Sequence, residues 1–199
     1  MSRITKKHDV YHHENLKEDI LNTAQKIYLS EGLEKLTVRS IAKILEVSPM
    51  AFYHYFKSLD ELIDTLINKY LIELEMVSYN NIQNCESGYE KLYRLGEAYV
   101  MYAFLNPKKF ALVFNLNKHV LAFDKPIEDI LLYRVLFDVV GEIVGQSVPD
   151  QNKKVATLSA WSLVHGLATL YTTNLLENMI VDENIARQVT KQVVRSIKL

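Results

Sequence analysis

A chain of 199 residues, 49% hydrophobic and 24% charged, has the composition of a globular protein with ample core for one large domain or two small ones. Its 23 Lys+Arg against 24 Asp+Glu leave a net charge of −1, which argues against nucleic-acid binding through bulk positive charge. The single Cys85 excludes an intrachain disulfide, and no apolar run reaches the roughly 18 residues that a membrane helix needs.

Six Gly and four Pro are few, and clean strand-like alternation, repeats and low-complexity tracts are absent, so an all-α fold is expected. The N-terminus has charges but no apolar h-region, hence no signal peptide, and the expected compartment is the cytoplasm. Residues 1–13 read as a polar arm with Arg3, Lys6, Lys7, His8, His12 and His13, suited to touching phosphates. These histidines lack a Cys or a second cluster, so they predict a solvated tail and no metal site.

A first helix is predicted from about Glu14 to Glu31, with an inner stripe of Leu16, Ile20, Ala24, Ile27 and Tyr28 and a stop at Gly32. Thr37 can N-cap a second helix, on which Val38, Ile41, Ala42 and Leu45 share one face. Glu46-Val47 makes a turn, and Ser48 caps a third helix that has Pro49 at its first position, where the missing N–H costs nothing. This third helix is about two turns long. Phe52 and Phe56, four apart, point inward and anchor it, leaving Pro49, Met50, Tyr53 and His54 toward solvent with Ala51 and Tyr55 at the margins.

An aromatic-rich exposed face needs something to bind, and two short helices around a tight turn (37–56) form a helix-turn-helix. Charge agrees locally. Residues 1–70 carry ten Lys+Arg and ten Asp+Glu, but from Lys35 to Lys57 the cations Lys35, Arg39, Lys43 and Lys57 face only Glu46. A fourth helix starts at Ser58, where Ser58-Leu59-Asp60-Glu61 reads as a capping box, and runs to Ser78 or beyond.

The segment "LTVRSIAKILEVSPMAFYHYFKSLDELI" resembles the DNA-binding signature of TetR-family transcriptional regulators, over residues 16 to about 70. The resemblance implies an N-terminal three-helix DNA-binding domain (14–80), joined by the fourth helix to a C-terminal helical domain for effector binding and dimerisation (85–199). It further implies phosphate contacts from Thr37, Arg39, Tyr53 and Lys57, and contacts to base edges or nearby phosphates from Ser48, Pro49, Met50, Ala51 and His54. Tyr55, also a DNA-contact candidate, stands where many relatives have His, which alters its contact, and Leu59 stands where they often have Lys, so one expected phosphate contact is missing. Pro49, Met50 and Ala51 cannot make bidentate hydrogen bonds to purines but can pack on thymine methyls, so the operator is expected to be read partly through T contacts and DNA shape.

After a polar stretch at 80–88, the expected domain seam, helices are predicted from Tyr89 to Asn106, from Pro107 to about Phe114, from near Pro126 to Val144, from Pro149-Asp150 to about Leu176, and from a cap at Asp182 to the end. "ATLSAWSLVHGLATLY" (156–171) and "FLNPKKFALVF" (104–114) resemble a C-terminal subclass of the same family marked by Trp-x-x-x-His-Gly. Tyr99, Tyr102, Phe110, Phe114, Tyr133, Phe137, Trp161, His165 and Tyr171 are candidates either for core packing or for the lining of a cavity that takes a small, largely apolar or aromatic effector. His165 also reads as a structural histidine beside Gly166, where glycine permits close helix contact.

The last two helices are apolar on more than one face. Leu163, Leu167, Leu170, Ile185, Val189 and Val193 are therefore candidates for a homodimer interface, and a dimer is also what two successive major grooves require. There is no Gly-rich phosphate loop, no His-Glu-x-x-His and no nucleophile elbow, so no catalytic residue, metal or cofactor is expected. The function these readings favour is a dimeric repressor that binds a palindromic operator and is released by an effector. The alternative, a helical sensor or scaffold without DNA binding, draws on Leu59 and the even charge balance.

Overall fold

A computed structural model of the chain describes residues 15–114, 126–145, 147–173 and 182–197, and every regular element among them is helical. The polar arm at 1–13 and the chain beyond Thr173 as far as Val181 lie outside the described residues. Contacts divide the chain into two compact units, Met1–Ile63 and Asp64–Leu199.

In the first unit, α1 (Leu16–Glu31) buries Ile20, Thr23, Ala24, Ile27 and Tyr28, the stripe its apolar spacing predicts. Gly32, at φ 89, ends it in a conformation that glycine adopts without strain. A 3-10 turn at Leu33–Lys35 then delivers Leu36 into the core. Helix α2 (Val38–Ile44) is capped reciprocally: Thr37 Oγ1 accepts the Ser40 N–H at 3.0 Å, and Ser40 Oγ accepts the Thr37 N–H at 3.1 Å.

The turn that follows is a Schellman motif. The Val47 N–H bonds to Ala42 O at 3.0 Å and the Glu46 N–H to Lys43 O at 3.4 Å, with Glu46 at φ 55 in the left-handed region usually given to glycine. Helix α3 (Pro49–Tyr53) is shorter than the two turns its spacing suggests. Its end tightens instead of continuing, because the Tyr55 and Phe56 N–H groups both close on Phe52 O, at 3.0 and 3.1 Å.

Helix α4 (Leu59–Asn80) runs through both units. Ser58 Oγ accepts the Glu61 N–H at 3.1 Å as its sequence predicts, but the Glu61 carboxylate reaches back to the Lys57 N–H at 2.6 Å, one residue earlier than a capping box implies.

In the second unit, α5 (Gly88–Leu105) packs against α6 (Pro107–Phe114), α7 (Leu131–Val144), α8 (Asp150–Tyr171) and α9 (Glu183–Ser196). A helix touched on so many sides must be apolar on most of them, and the run from Ala98 to Ala103 is buried without a break. Gly96 lets two neighbours approach: a Cβ there would come within 2.9 Å of Val194 and 3.3 Å of Val164. Helix α7 begins at Leu131 and not near Pro126, because Ile127–Asp129 form a 3-10 turn and Ile130 is extended, which breaks the helical path. Helix α9 starts as predicted, with Asp182 Oδ1 accepting the Ile185 N–H at 2.8 Å.

Candidate functional site

The reading surface is built on a buried hub. Phe52 and Phe56 are 0% and 2% exposed, their rings 5.7 Å apart, and the Lys17 ammonium lies 5.7 Å over Phe56. With these two rings inward, α3 presents the rest of its residues outward. Met50 is 75% and Tyr53 49% exposed; Ser48, Pro49, His54, Tyr55 and Lys57 are exposed, and Ala51 is half-buried.

Phe52 holds the Tyr53 ring edge-on at 5.3 Å, and His54 and Tyr55 meet edge-on at 5.0 Å. Thr37 and Arg39 are exposed at the start of α2, and Lys43 further along it. Every DNA-contact candidate is thus at or near the surface of the first unit. Sequence reasoning missed Ser40 because capping boxes favour Glu or Gln at that position, and missed the left-handed Glu46 because Gly is the usual signal there.

The second unit holds a cavity of about 40 Å³ that is partly open to solvent. Tyr99, Phe114, Tyr133 and Trp161 line it, as do Leu71, Leu92, Leu95, Leu132, Leu136 and Val164. The aliphatic walls were not singled out in the sequence, because their three- and four-residue spacing is that of any helix core.

Other cavity candidates sit elsewhere. Tyr102 is core, its hydroxyl donating to Tyr70 O at 3.4 Å, and burial pushes that hydroxyl's pKa up. Phe110 is 1% exposed, Phe137 stacks behind Tyr133 with centroids 6.3 Å apart, and Tyr171 packs on Phe104.

His165 stands behind the wall, one helical turn from Trp161. The Trp161 indole N–H donates to Tyr99 Oη at 3.3 Å, and Tyr99 Oη lies 2.7 Å from His165 Nδ1. An indole N–H only donates, so Tyr99 Oη accepts from Trp161, and the donor across the Tyr99–His165 contact follows the imidazole tautomer. Burial pushes the His165 pKa down and the Tyr99 pKa up, which favours the uncharged form of both groups. Among the described residues no helix comes close at Gly166: a Cβ there would meet nothing within 4 Å, and the residue is exposed.

Of the dimer candidates, Leu163, Leu170, Ile185 and Val189 are exposed, whereas Leu167 and Val193 are half-buried, with Leu167 against the body's core. Among the described residues no cluster of His, Cys, Asp or Glu could hold a metal ion, and no helix is long and apolar enough to cross a membrane.

Residues 92–194 match the family model of the tetracyclin repressor-like C-terminal domain, and residues 20–66 that of bacterial regulatory proteins of the tetR family. No curated protein matches the sequence. Similar solved structures include a protein of unknown function from Rhodococcus sp. RHA1, 23% identical with TM-score 0.71 over 96% of this chain and 100% of that one. Another is a transcriptional regulator of the TetR/AcrR family from Thermobifida fusca YX-ER1, 17% identical with TM-score 0.70 over 93% and 100%. A third is a bacterial regulatory protein in the tetR family from Rhodococcus RHA1, 18% identical with TM-score 0.64 over 90% and 95%. A helix-turn-helix hung on two phenylalanines, an all-helical body and a family match at both ends lead to one assignment: the chain belongs to the TetR family of DNA-binding transcriptional regulators and is not an enzyme.

Proposed function

We propose that the protein is a dimeric repressor that works in the cytoplasm, grips a palindromic operator with two copies of α3, and lets go when a small apolar molecule enters the second unit. The observation that carries this reading is the outward face of α3, where Pro49, Met50, Tyr53 and His54 are held exposed by the buried Phe52 and Phe56. Such a face has no reason to stay apolar in water unless it meets a groove. Thr37, Arg39, Tyr53 and Lys57 take phosphates, Pro49, Met50 and Ala51 pack on thymine methyls, and Ser48, His54 and Tyr55 reach base edges or neighbouring phosphates.

The surface of α8 supports the dimer. Thr157, Ala160, Val164 and Ala168 are buried on its inner side, where Trp161, Leu167 and Tyr171 also pack, while Val155, Leu158, Leu163 and Leu170 face out. A helix with a second row of large apolar residues on its outward side is suited to a partner, and Gly166 on that side permits a second helix to come close. Exposed Ile185 and Val189 extend the surface onto α9, with Leu167 and Val193 at its edge.

Release runs through α4. Leu71 of α4 lines the cavity together with residues of α6 and α7, and the Lys109 ammonium of α6 holds the Glu73 carboxylate of α4 at 2.6 Å. An occupant that spreads the cavity walls shifts α4, and with it the spacing of the two reading helices. By linkage, DNA and effector weaken each other equally.

A gel shift with DNA flanking its own gene tests the proposal. One dimer should protect a palindrome with half-sites about one helical turn apart, roughly 34 Å. Changing T to C under α3 should weaken binding, and indifference at all such positions contradicts this mode of reading. Absence of any retarded complex contradicts DNA binding altogether.

A further inference from the structure

Three hydrogen-bond donors meet where α8 packs on α5, and they share two bonds. Trp161 and His165, one turn apart on α8, approach Tyr99 Oη at 3.3 Å and 2.7 Å. The indole N–H can only donate, so it is spent on the phenol in every arrangement. Across the second contact there are two arrangements. With the imidazole proton on Nε2, Tyr99 donates to Nδ1 and the Nε2–H is left over. With it on Nδ1, that N–H donates to Tyr99 Oη, which then accepts twice, and the phenol proton is left over. A charged ring adds a further donor, so at least one is unspent in each case.

The surplus donor sits among rings. His165 lies 4.9 Å from Phe114, 5.9 Å from Phe110 and 5.8 Å from Trp161, and Tyr99 is 2% exposed. A donor without an acceptor is costly in such surroundings, so an acceptor that arrives there is favoured. Of the two groups that can carry the spare proton, Tyr99 lines the cavity and His165 stands behind its wall. Tyr133, on α7, brings another hydroxyl to that wall, and the rest is aliphatic side chains and ring faces. No charged side chain is among the described residues that line it, so an ionised occupant would be left without a partner.

We infer that this cavity takes an uncharged, mostly apolar molecule carrying a hydrogen-bond acceptor, such as a ketone, an ether or a nitrile, and that Tyr99 donates to it. The bound state then fixes the tautomer: His165 keeps its proton on Nδ1, and Tyr99 Oη accepts from both Trp161 and His165 while its own proton goes to the occupant. The inference deepens the effector role proposed above and rests on it for biological meaning, although the chemistry concerns binding alone.

The probes are cyclohexanone and methylenecyclohexane, one with a carbonyl oxygen where the other has an exocyclic methylene. Calorimetry on the full-length protein gives both affinities. Their ratio is compared between the wild type and Tyr99→Phe, so that the unequal cost of taking the two probes out of water cancels. The preference for the ketone should fall about ten-fold in Tyr99→Phe, the worth of one hydrogen bond, and hold in Tyr133→Phe. Fluorescence of Trp161, the only tryptophan of the chain, checks that each variant keeps the fold of the second unit. An unchanged ratio in Tyr99→Phe, or a ratio lost in Tyr133→Phe instead, overturns the assignment of the donor. Failure of cyclohexanone to bind the wild type overturns the inference.

If Tyr99→Phe does not fold, the wild-type complex decides. Nitrogen NMR of the His165 ring should find the proton on Nδ1 with cyclohexanone bound, and the carbonyl stretching band should lie below its position for cyclohexanone in hexane. A proton on Nε2 leaves Tyr99 nothing to donate and overturns the proposal, as does an unshifted band. The two readings fail separately: cyclohexanone bound through Tyr99 with no effect on operator binding removes the effector role and spares the donor. Operator release by cyclohexanone with the ratio unchanged in Tyr99→Phe does the reverse.

Discussion

The two units of this chain use aromatic side chains in opposite ways. In the first, Phe52 and Phe56 disappear into the interior so that Tyr53, His54 and Tyr55 can stand in water. In the second, Tyr99, Tyr102 and Phe110 are buried outright, and the hydroxyl of Tyr99 meets Trp161 and His165 inside the protein. Exposure is costly for a ring and informative for that reason: it marks a surface meant for something else. Burial is the default and says little about purpose until the hydrogen bonds are known.

The largest effect expected from breaking this contrast is at the hub. Phe52→Ala empties a fully buried site and should destabilise the first unit by about 3–5 kcal/mol, enough to melt it. Denaturant titration by circular dichroism should lose helix early while Trp161 fluorescence, which reports the second unit, keeps its midpoint. An unmoved circular dichroism transition contradicts the anchoring role.

Next comes the outer face of α8. Leu163→Glu with Leu170→Glu puts four charges into the proposed interface of two copies and should raise the dimer dissociation constant by about a hundred-fold or more. Sedimentation velocity should then find monomers with unchanged helix content, and a persistent dimer would move the interface elsewhere.

A smaller loss is expected at the start of α2. Thr37→Ala leaves the Ser40 N–H without its acceptor and should cost about 1 kcal/mol, read as a lower denaturation midpoint at constant slope.

The smallest effect concerns pH. Burial holds the folded-state pKa of His165 below its unfolded value, so the unfolded chain binds the extra proton first. Stability of the second unit should therefore be full above about pH 6.5 and fall as the solution is acidified toward the folded pKa. Thermal melts followed through Trp161 should show this slope, and His165→Gln should flatten it. A slope unchanged by that substitution assigns it to other groups.

How much the sequence disclosed differs between the units for the same reason. The helix-turn-helix is local: Thr37, Ser48, Pro49, Phe52 and Phe56 act within a few residues of one another, so caps, turn and inward ring spacing can be read along the line. What escaped there were substitutes for the usual residue, Ser40 in place of an acidic partner and Glu46 in place of glycine. In the second unit the functional relations are long-range. Tyr99 is 66 residues from His165 and 62 from Trp161 in the chain, and no spacing rule connects them. Leu92 and Leu95 were not singled out, because a face that packs and a face that lines a cavity have the same period. Likewise the doubled apolar surface of the last helices was visible, whereas only the fold shows that Leu167 turns to the core and Leu163 away from it.

The most direct test of the account is fluorescence anisotropy of labelled duplex DNA from the region flanking the gene, with the wild-type protein and with Arg39→Ala/Tyr53→Phe. Both residues are exposed on the first unit and neither is part of its core, so the double variant should fold and dimerise normally. Loss of two phosphate contacts per protomer should weaken binding by about a hundred-fold and reduce its salt dependence. Equal affinity and equal salt slope for the two proteins would contradict the claim that this face of α2 and α3 holds DNA.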